Sequence, residues 1–189
     1  AYGTGISGVA AAELLWESRN DGDKTMSREI IDGAPVYKEG YVAFATGRSQ
    51  GNAVIAVKDI NGNILWSWHI WVCDDQITAH DHINPANEVV AQIMDRNLGA
   101  SPSTEDERLQ TVRTDEAERK VCGYMLYQWG RKDPIPNSDV YYVDGVATDI
   151  VSSYPVWQPA TLTEATIAAS VLRPGYIINK PAVGECSSW

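Results

Sequence analysis

Residues 52–72 read N-A-V-I-A-V-K-D-I-N-G-N-I-L-W-S-W-H-I-W-V, two apolar runs (Asn52–Asp59 and Ile64–Val72) on either side of an Asn61-Gly62 pair. Asparagine followed by glycine accepts positive φ at both centres of a tight turn, so the spacing predicts a two-residue type I′ hairpin. That turn pairs Ile60 with Asn63, and therefore Val57 with Trp66, Ile55 with Trp68 and Ala53 with Ile70. The two-residue period of a strand then puts those last six side chains on one face. Lys58, Ala56, Ser67, His69 and Trp71 fall on the other, partly polar face. The expectation is a half-buried antiparallel hairpin.

Working outward, Tyr41–Thr46 reads as another strand, ending at the Gly47–Gly51 turn, and Glu13–Glu17 and Ala34–Lys38 read as extended on either side of the polar stretch 18–29. Short strands with polar connections predict a mainly β chain whose first half is an antiparallel β-sandwich. Residues 74–88 are polar and contain Pro85, so a boundary is placed there, giving a sandwich-like domain over 1–78 and a smaller, irregular α+β portion over 79–189. In that second part Glu88–Asp95, Tyr124–Trp129 and Val140–Val143 are strand candidates. Ser103–Lys120 has acids leading, bases closing and few apolar positions, which suits a solvated helix or an excursion. Thr163–Ser170 is predicted as a short helix that stops before Pro174-Gly175.

Composition narrows the function. The 189 residues carry 25 acidic against 15 basic side chains, a formal net charge of -10, which is the wrong sign for a general nucleic-acid binder. No apolar run approaches the roughly 18–20 residues that a membrane-spanning helix needs. The opening Ala1-Tyr2-Gly3 and the closing Cys186-Ser187-Ser188-Trp189 are expected to be the ends of a piece cut from a longer chain. Seven Trp and nine Tyr stand against one Phe, a bias toward aromatics with a polar handle that suits rims and half-wet surfaces.

Two short motifs fail on context. Gly3-Thr4-Gly5-Ile6-Ser7-Gly8 fits the dinucleotide fingerprint, but no strand precedes it and a polar stretch stands where a second buried strand belongs. Gly47-Arg48-Ser49-Gln50-Gly51 fits a nucleophile elbow, but a strand follows it where a helix is required. With no other acid–base constellation, no catalysis is expected. His80-Asp81-His82, with Asp74 and Asp75 nearby, has residue types that suit zinc or a similar ion, and residues 80 and 82 share a face if extended; solvated loop residues are the commoner outcome. Cys73, Cys122 and Cys186 form an odd set. Either a Cys73–Cys122 bridge ties the two halves together, or the thiols are isolated and buried.

Three segments taken together, Gly51–Val72, Met94–Ala100 (M-D-R-N-L-G-A) and Tyr127–Pro134 (Y-Q-W-G-R-K-D-P), resemble the fimbrillin-like cell-surface proteins of Bacteroidetes. The later two are also similar to the Fibrobacter succinogenes major paralogous domain, and Ala12–Ser18 fits the same pattern. The resemblance implies an exported protein at the outer-membrane surface or in a fimbrium, acting as an adhesin or as a structural tip or accessory subunit. Its partners would be other fimbrial subunits, or surface glycans or proteins. It also implies a C-type-lectin-like second half, truncated here, although the E-P-N and Q-P-D calcium–sugar signatures of true C-type lectins do not occur. The alternative reading is a carbohydrate-binding module, calcium-dependent or built on Trp71, Trp129 and Trp157 as aromatic platforms.

Overall fold

A computed structural model describes residues 5–18, 30–73, 76–100, 125–127, 131–135, 140–143, 146–149, 159–160, 167–174 and 177–178. The described chain is mainly β. Its strands are β1 (Ala11–Ser18), β2 (Ile31–Lys38), β3 (Tyr41–Thr46), β4 (Gly51–Lys58), β5 (Ile64–Val72), β6 (Ala79–Ile83), β7 (Val89–Met94), β8 (Val140–Val143), β9 (Val146–Asp149), β10 (Pro159–Ala160) and β11 (Ile177–Ile178), with one short helix, α1 (Ile167–Leu172), between the last two. A five-stranded antiparallel sheet in the order β5-β4-β1-β8-β9 is accompanied by the antiparallel hairpins β2–β3 and β6–β7. β10 and β11 form a short parallel pair. The large sheet therefore takes strands from both sides of residue 78.

The central hairpin has the expected pairing but a different turn. Val57 pairs with Trp66, Ile55 with Trp68 and Ala53 with Ile70. The loop, however, is closed by Asp59 N donating to Asn63 O at 2.9 Å and by Gly62 N donating to Asp59 O at 3.1 Å. Only Gly62 has positive φ, at 83°. This is a three-residue loop, a type I turn ending in a left-handed glycine. Such a loop alone would shift the pairing by one residue and turn β5 over. A one-residue bulge at Leu65, between the Lys58–Ile64 and Val57–Trp66 pairs, restores the register.

The same device recurs at β6–β7, where the sequence suggested only a connection. Asn84 Oδ1 accepts the amides of Ala86 (2.9 Å) and Glu88 (3.0 Å), as Asp59 Oδ1 accepts those of Asn61 (2.9 Å) and Asn63 (2.8 Å). Asn87 takes the left-handed position of Gly62, with φ 62°. A bulge at Val90 follows, between Ile83–Val89 and His82–Ala91. The reading of 74–88 as connection is thus corrected over Ala79–Ile83. All described side chains of β6 and β7 are exposed, so no one-sided apolar alternation marked the strand. A tight two-residue turn with both central residues at positive φ does occur, but at Glu39-Gly40 between β2 and β3 (φ 52° and 87°).

The core lies on both faces of β4, which is buried from Gly51 to Val57. The half-buried expectation is corrected here: strands covered on both sides read as continuous apolar runs, and A-V-I-A-V is one. On one face Leu14, Ala53 and Ile55 pack with Ile30 and Ile31 at the start of β2, joined by Val42, Ile70 and Val72. Glu17, fully buried, accepts the amides of Ile30 (3.3 Å) and Ile31 (3.1 Å) on one carboxylate oxygen and so anchors β2 to β1. On the other face Trp16 and Val54 pack with Met125, and Leu15, Tyr127 and Ile135 border them. A bulge between Leu14 and Trp16 lets β1 serve both cores.

Two further expectations fall only partly on the described residues. Within the predicted strand Tyr124–Trp129, only 125–127 is described, and there Leu126 forms a single bridge with Ile135. The described helix, Ile167–Leu172, overlaps the predicted Thr163–Ser170 and runs two residues past its end, while 163–166 lie outside the described residues. The expected helix over Ser103–Lys120 lies outside the described residues.

Candidate functional site

The face of β4 and β5 that carries Val57, Ile55, Trp66, Trp68 and Ile70 is incompletely covered. Between it and the β2–β3 hairpin lies a cavity of about 700 Å³, walled on the hairpin side by Tyr37, Tyr41, Val42 and Phe44, with Gly5, Ile6 and Val9 at one end. β5 is the outermost strand of the described sheet, and its Trp66, Trp68 and Ile70 line the cavity, hereafter the slot. Three of the aromatic residues that line it are exposed, Trp68 at 38%, Phe44 at 40% and Tyr41 at 78%. Among the described residues no Asp, Glu, Lys, Arg or His lines it. Pockets of this size and apolar character bind ligands through shape and desolvation, with a few polar groups setting orientation. Here those groups are two tyrosine hydroxyls and two indole N–H donors.

Behind the slot, the opposite face of the same strands carries a buried polar network. Asn52 Nδ2 donates to Gly99 O at 2.9 Å, and its Oδ1 lies 2.9 Å from His69 Nε2. Gly99 is held at φ 84°, and a Cβ there would meet Met125 Cγ at 2.5 Å and Asn52 Oδ1 at 2.9 Å, so only glycine fits. Ser67 Oγ donates to Asp133 Oδ2 at 2.8 Å, while Lys132 Nζ donates to Ser67 O (2.7 Å), Ser67 Oγ (2.8 Å) and Asp133 Oδ1 (2.7 Å). Nearby, Arg96 grips Asp95 with Nε and Nη2 (2.9 and 3.0 Å), and Asp95 Oδ2 also accepts from Thr78 Oγ1 at 3.0 Å. These donors hold the Asp95 carboxyl far below the usual carboxylate range. Burial pushes His69 down to about 4 and Arg131 down to about 10, with Asp133 opposing both shifts.

The three segments that carried the resemblance thus meet on this face: Asn52 and Ser67 from the hairpin, Gly99 from 94–100, Lys132 and Asp133 from 127–134. Ser67 and Lys132 touch, and Ser67 is 1% exposed, so their contact is buried within the network.

Of the residues singled out from the sequence, Trp71, Cys73, His80, Asp81 and His82 lie among the described residues. Trp71 is half-buried on the network face, and its indole Nε1 is buried without a hydrogen-bond partner among the described residues. Trp129 and Trp157 lie outside the described residues, as does Cys122; Cys73 is half-buried just after β5. His80, Asp81 and His82 follow one another on β6, so the pleat sends Asp81 to the face opposite the two histidines, where it accepts from Gln92 Nε2 at 3.0 Å. Among the described residues no group of three His, Cys, Asp or Glu is placed to hold a metal ion. What sequence reasoning missed is the slot. The W-S-W spacing put Trp66 and Trp68 on one face, but nothing local showed that β2–β3 would leave that face open.

Compared with known proteins, the chain matches no family model, no curated protein and no solved structure. Among the described residues no helix is long and apolar enough to cross a membrane.

Proposed function

We propose that this chain is an exported cell-surface adhesin or fimbrial subunit, structural and recognitive without catalysis, whose slot accepts an extended strand from a second copy. The slot is the observation that carries the reading. On this reading β2–β3 and the five-stranded sheet are the two layers of a sandwich, and the space between β3 and β5 receives the strand. Trp66, Trp68 and Ile70 project into that opening at two-residue intervals. They span about 13 Å at roughly 3.3 Å per residue, the length of a five-residue strand segment. An incoming strand would gain backbone pairing along an edge and bury alternate, uncharged side chains on the tryptophans.

Light scattering across a concentration series tests this. Assembly that grows with concentration, is abolished by Trp68→Asp, and is competed by an octapeptide alternating valine and threonine is expected. A folded sample that stays monomeric at every concentration and does not bind the octapeptide would sink the reading.

A second reading, carbohydrate binding on an aromatic platform, is favoured by the exposed faces of Tyr41 and Trp68 at the slot mouth. With no carboxylate among the described lining residues, such binding is proposed to need no calcium at this site. A glycan array run with calcium and with chelator should then give a saturable, chelator-insensitive signal that Tyr41→Ala weakens. A chelator-sensitive signal would instead support the calcium-dependent, lectin-like form, with its site in residues 79–189.

A further inference from the structure

We propose that Lys132 is a positioning residue for the slot, its ammonium holding the Trp66 ring as the slot's wall from across the edge of β5. The inference rests on the slot being a binding site, whatever its occupant. Trp66 and Ser67 are neighbours on β5 and project to opposite faces, Trp66 into the slot and Ser67 into the buried network. Lys132 belongs to the network side, where three hydrogen bonds to Ser67 and Asp133 fix its Nζ. β5 is the outermost strand, so the same Nζ also reaches the ring of Trp66, 4.8 Å from its centroid. A cation at that distance is attracted to the ring's face. The ammonium is immobilised by Asp133, 2% exposed, so the ring is tied to a rigid anchor and keeps its other surface for the slot. Ser67 thus links the two faces, and the packing around Asp133 sets the shape of a cavity it never touches.

The probe is N-phenylnaphthylamine, an uncharged lipophilic fluorophore suited to a slot without charged lining. Its affinity is measured for the wild type, Lys132→Met, Lys132→Arg, and each of these in a Trp66→Leu background. The Met variant is expected to bind about fivefold to tenfold more weakly, and the Arg variant within about twofold of wild type. In the Trp66→Leu background, Lys132→Met should have no further effect. Because Lys132→Met leaves Asp133 a buried charge with one partner fewer, Lys132→Met/Asp133→Asn is measured beside it. In wild-type protein the ε-methylene protons of Lys132 should show an upfield ring-current shift that Trp66→Leu removes. The proposal is overturned by equal losses in both backgrounds, by no loss at all, by a wild type that does not bind the probe, or by unshifted Lys132 protons. If the cycle holds while the chain stays monomeric and ignores the octapeptide, strand acceptance fails and the positioning role stands.

Discussion

The Oδ1 of Asn52 must act as acceptor toward His69, because its amide nitrogen is already committed to Gly99 O. The imidazole therefore carries a proton on Nε2. Burial disfavours the charged form and holds its pKa at about 4 against 6.5 for a free histidine. Between those values the unfolded chain binds the proton and the folded chain does not, so stability falls as pH is lowered. The loss begins below about 6.5, is complete below about 4, and amounts to on the order of 2 kcal/mol. Urea midpoints at pH 7 and pH 4.5 should differ less for His69→Gln than for the wild type; equal differences would show that His69 does not contribute. The histidine was legible in the sequence only as a residue on the partly polar face. Its tautomer depends, through Asn52, on Gly99 30 positions away, and its depressed pKa on burial that outweighs the opposing charge of Asp133, none of which a local pattern connects to it.

At the scale of elements, the two loops D-I-N-G-N and N-P-A-N-E are built alike, with an Asx side chain accepting two amides and a left-handed fourth residue. Reading Asn61-Gly62 as a two-residue turn reached the correct strand register because the longer loop and the Leu65 bulge offset each other. The buried face of β4 leaves the pair of tryptophans no other side, so the core selects the register and the bulge absorbs the difference. The β6–β7 hairpin has no such core, and isolated hairpins are marginal in water. Its loop bonds should therefore matter locally. Asn84→Ala is expected to raise amide exchange across residues 79–94 about fivefold, the effect of losing roughly 1 kcal/mol, without moving the global unfolding midpoint. A shift of the global midpoint would mean that the hairpin is part of the cooperative core.

Across the whole molecule, the main sheet is a partition between an apolar slot on one side and a polar tie on the other. Trp16, fully buried with Val54 and Met125, is where the segment 125–127 is joined to that sheet. Trp16→Ala is expected to cost about 3–5 kcal/mol in denaturant unfolding, as large-to-small core changes do. Its slot-facing counterpart Trp68→Ala, removing a side chain already 38% exposed, should cost clearly less. Comparable costs would mean that Trp68 belongs to the core and that the slot is not open.

The sequence by itself determined the mainly β character, the antiparallel β4–β5 hairpin and the face on which each of its side chains lies. Those follow from a two-residue period and from turn chemistry, which act within a few residues. Only the tertiary structure decided that β4 is covered on both faces, that Asn52, Gly99, Ser67 and Asp133 meet behind it, and that Trp66 and Trp68 face an opening. Each of those depends on which distant segment packs where. Packing of that kind is settled by the shape and burial of whole elements, and leaves no period in the chain to read.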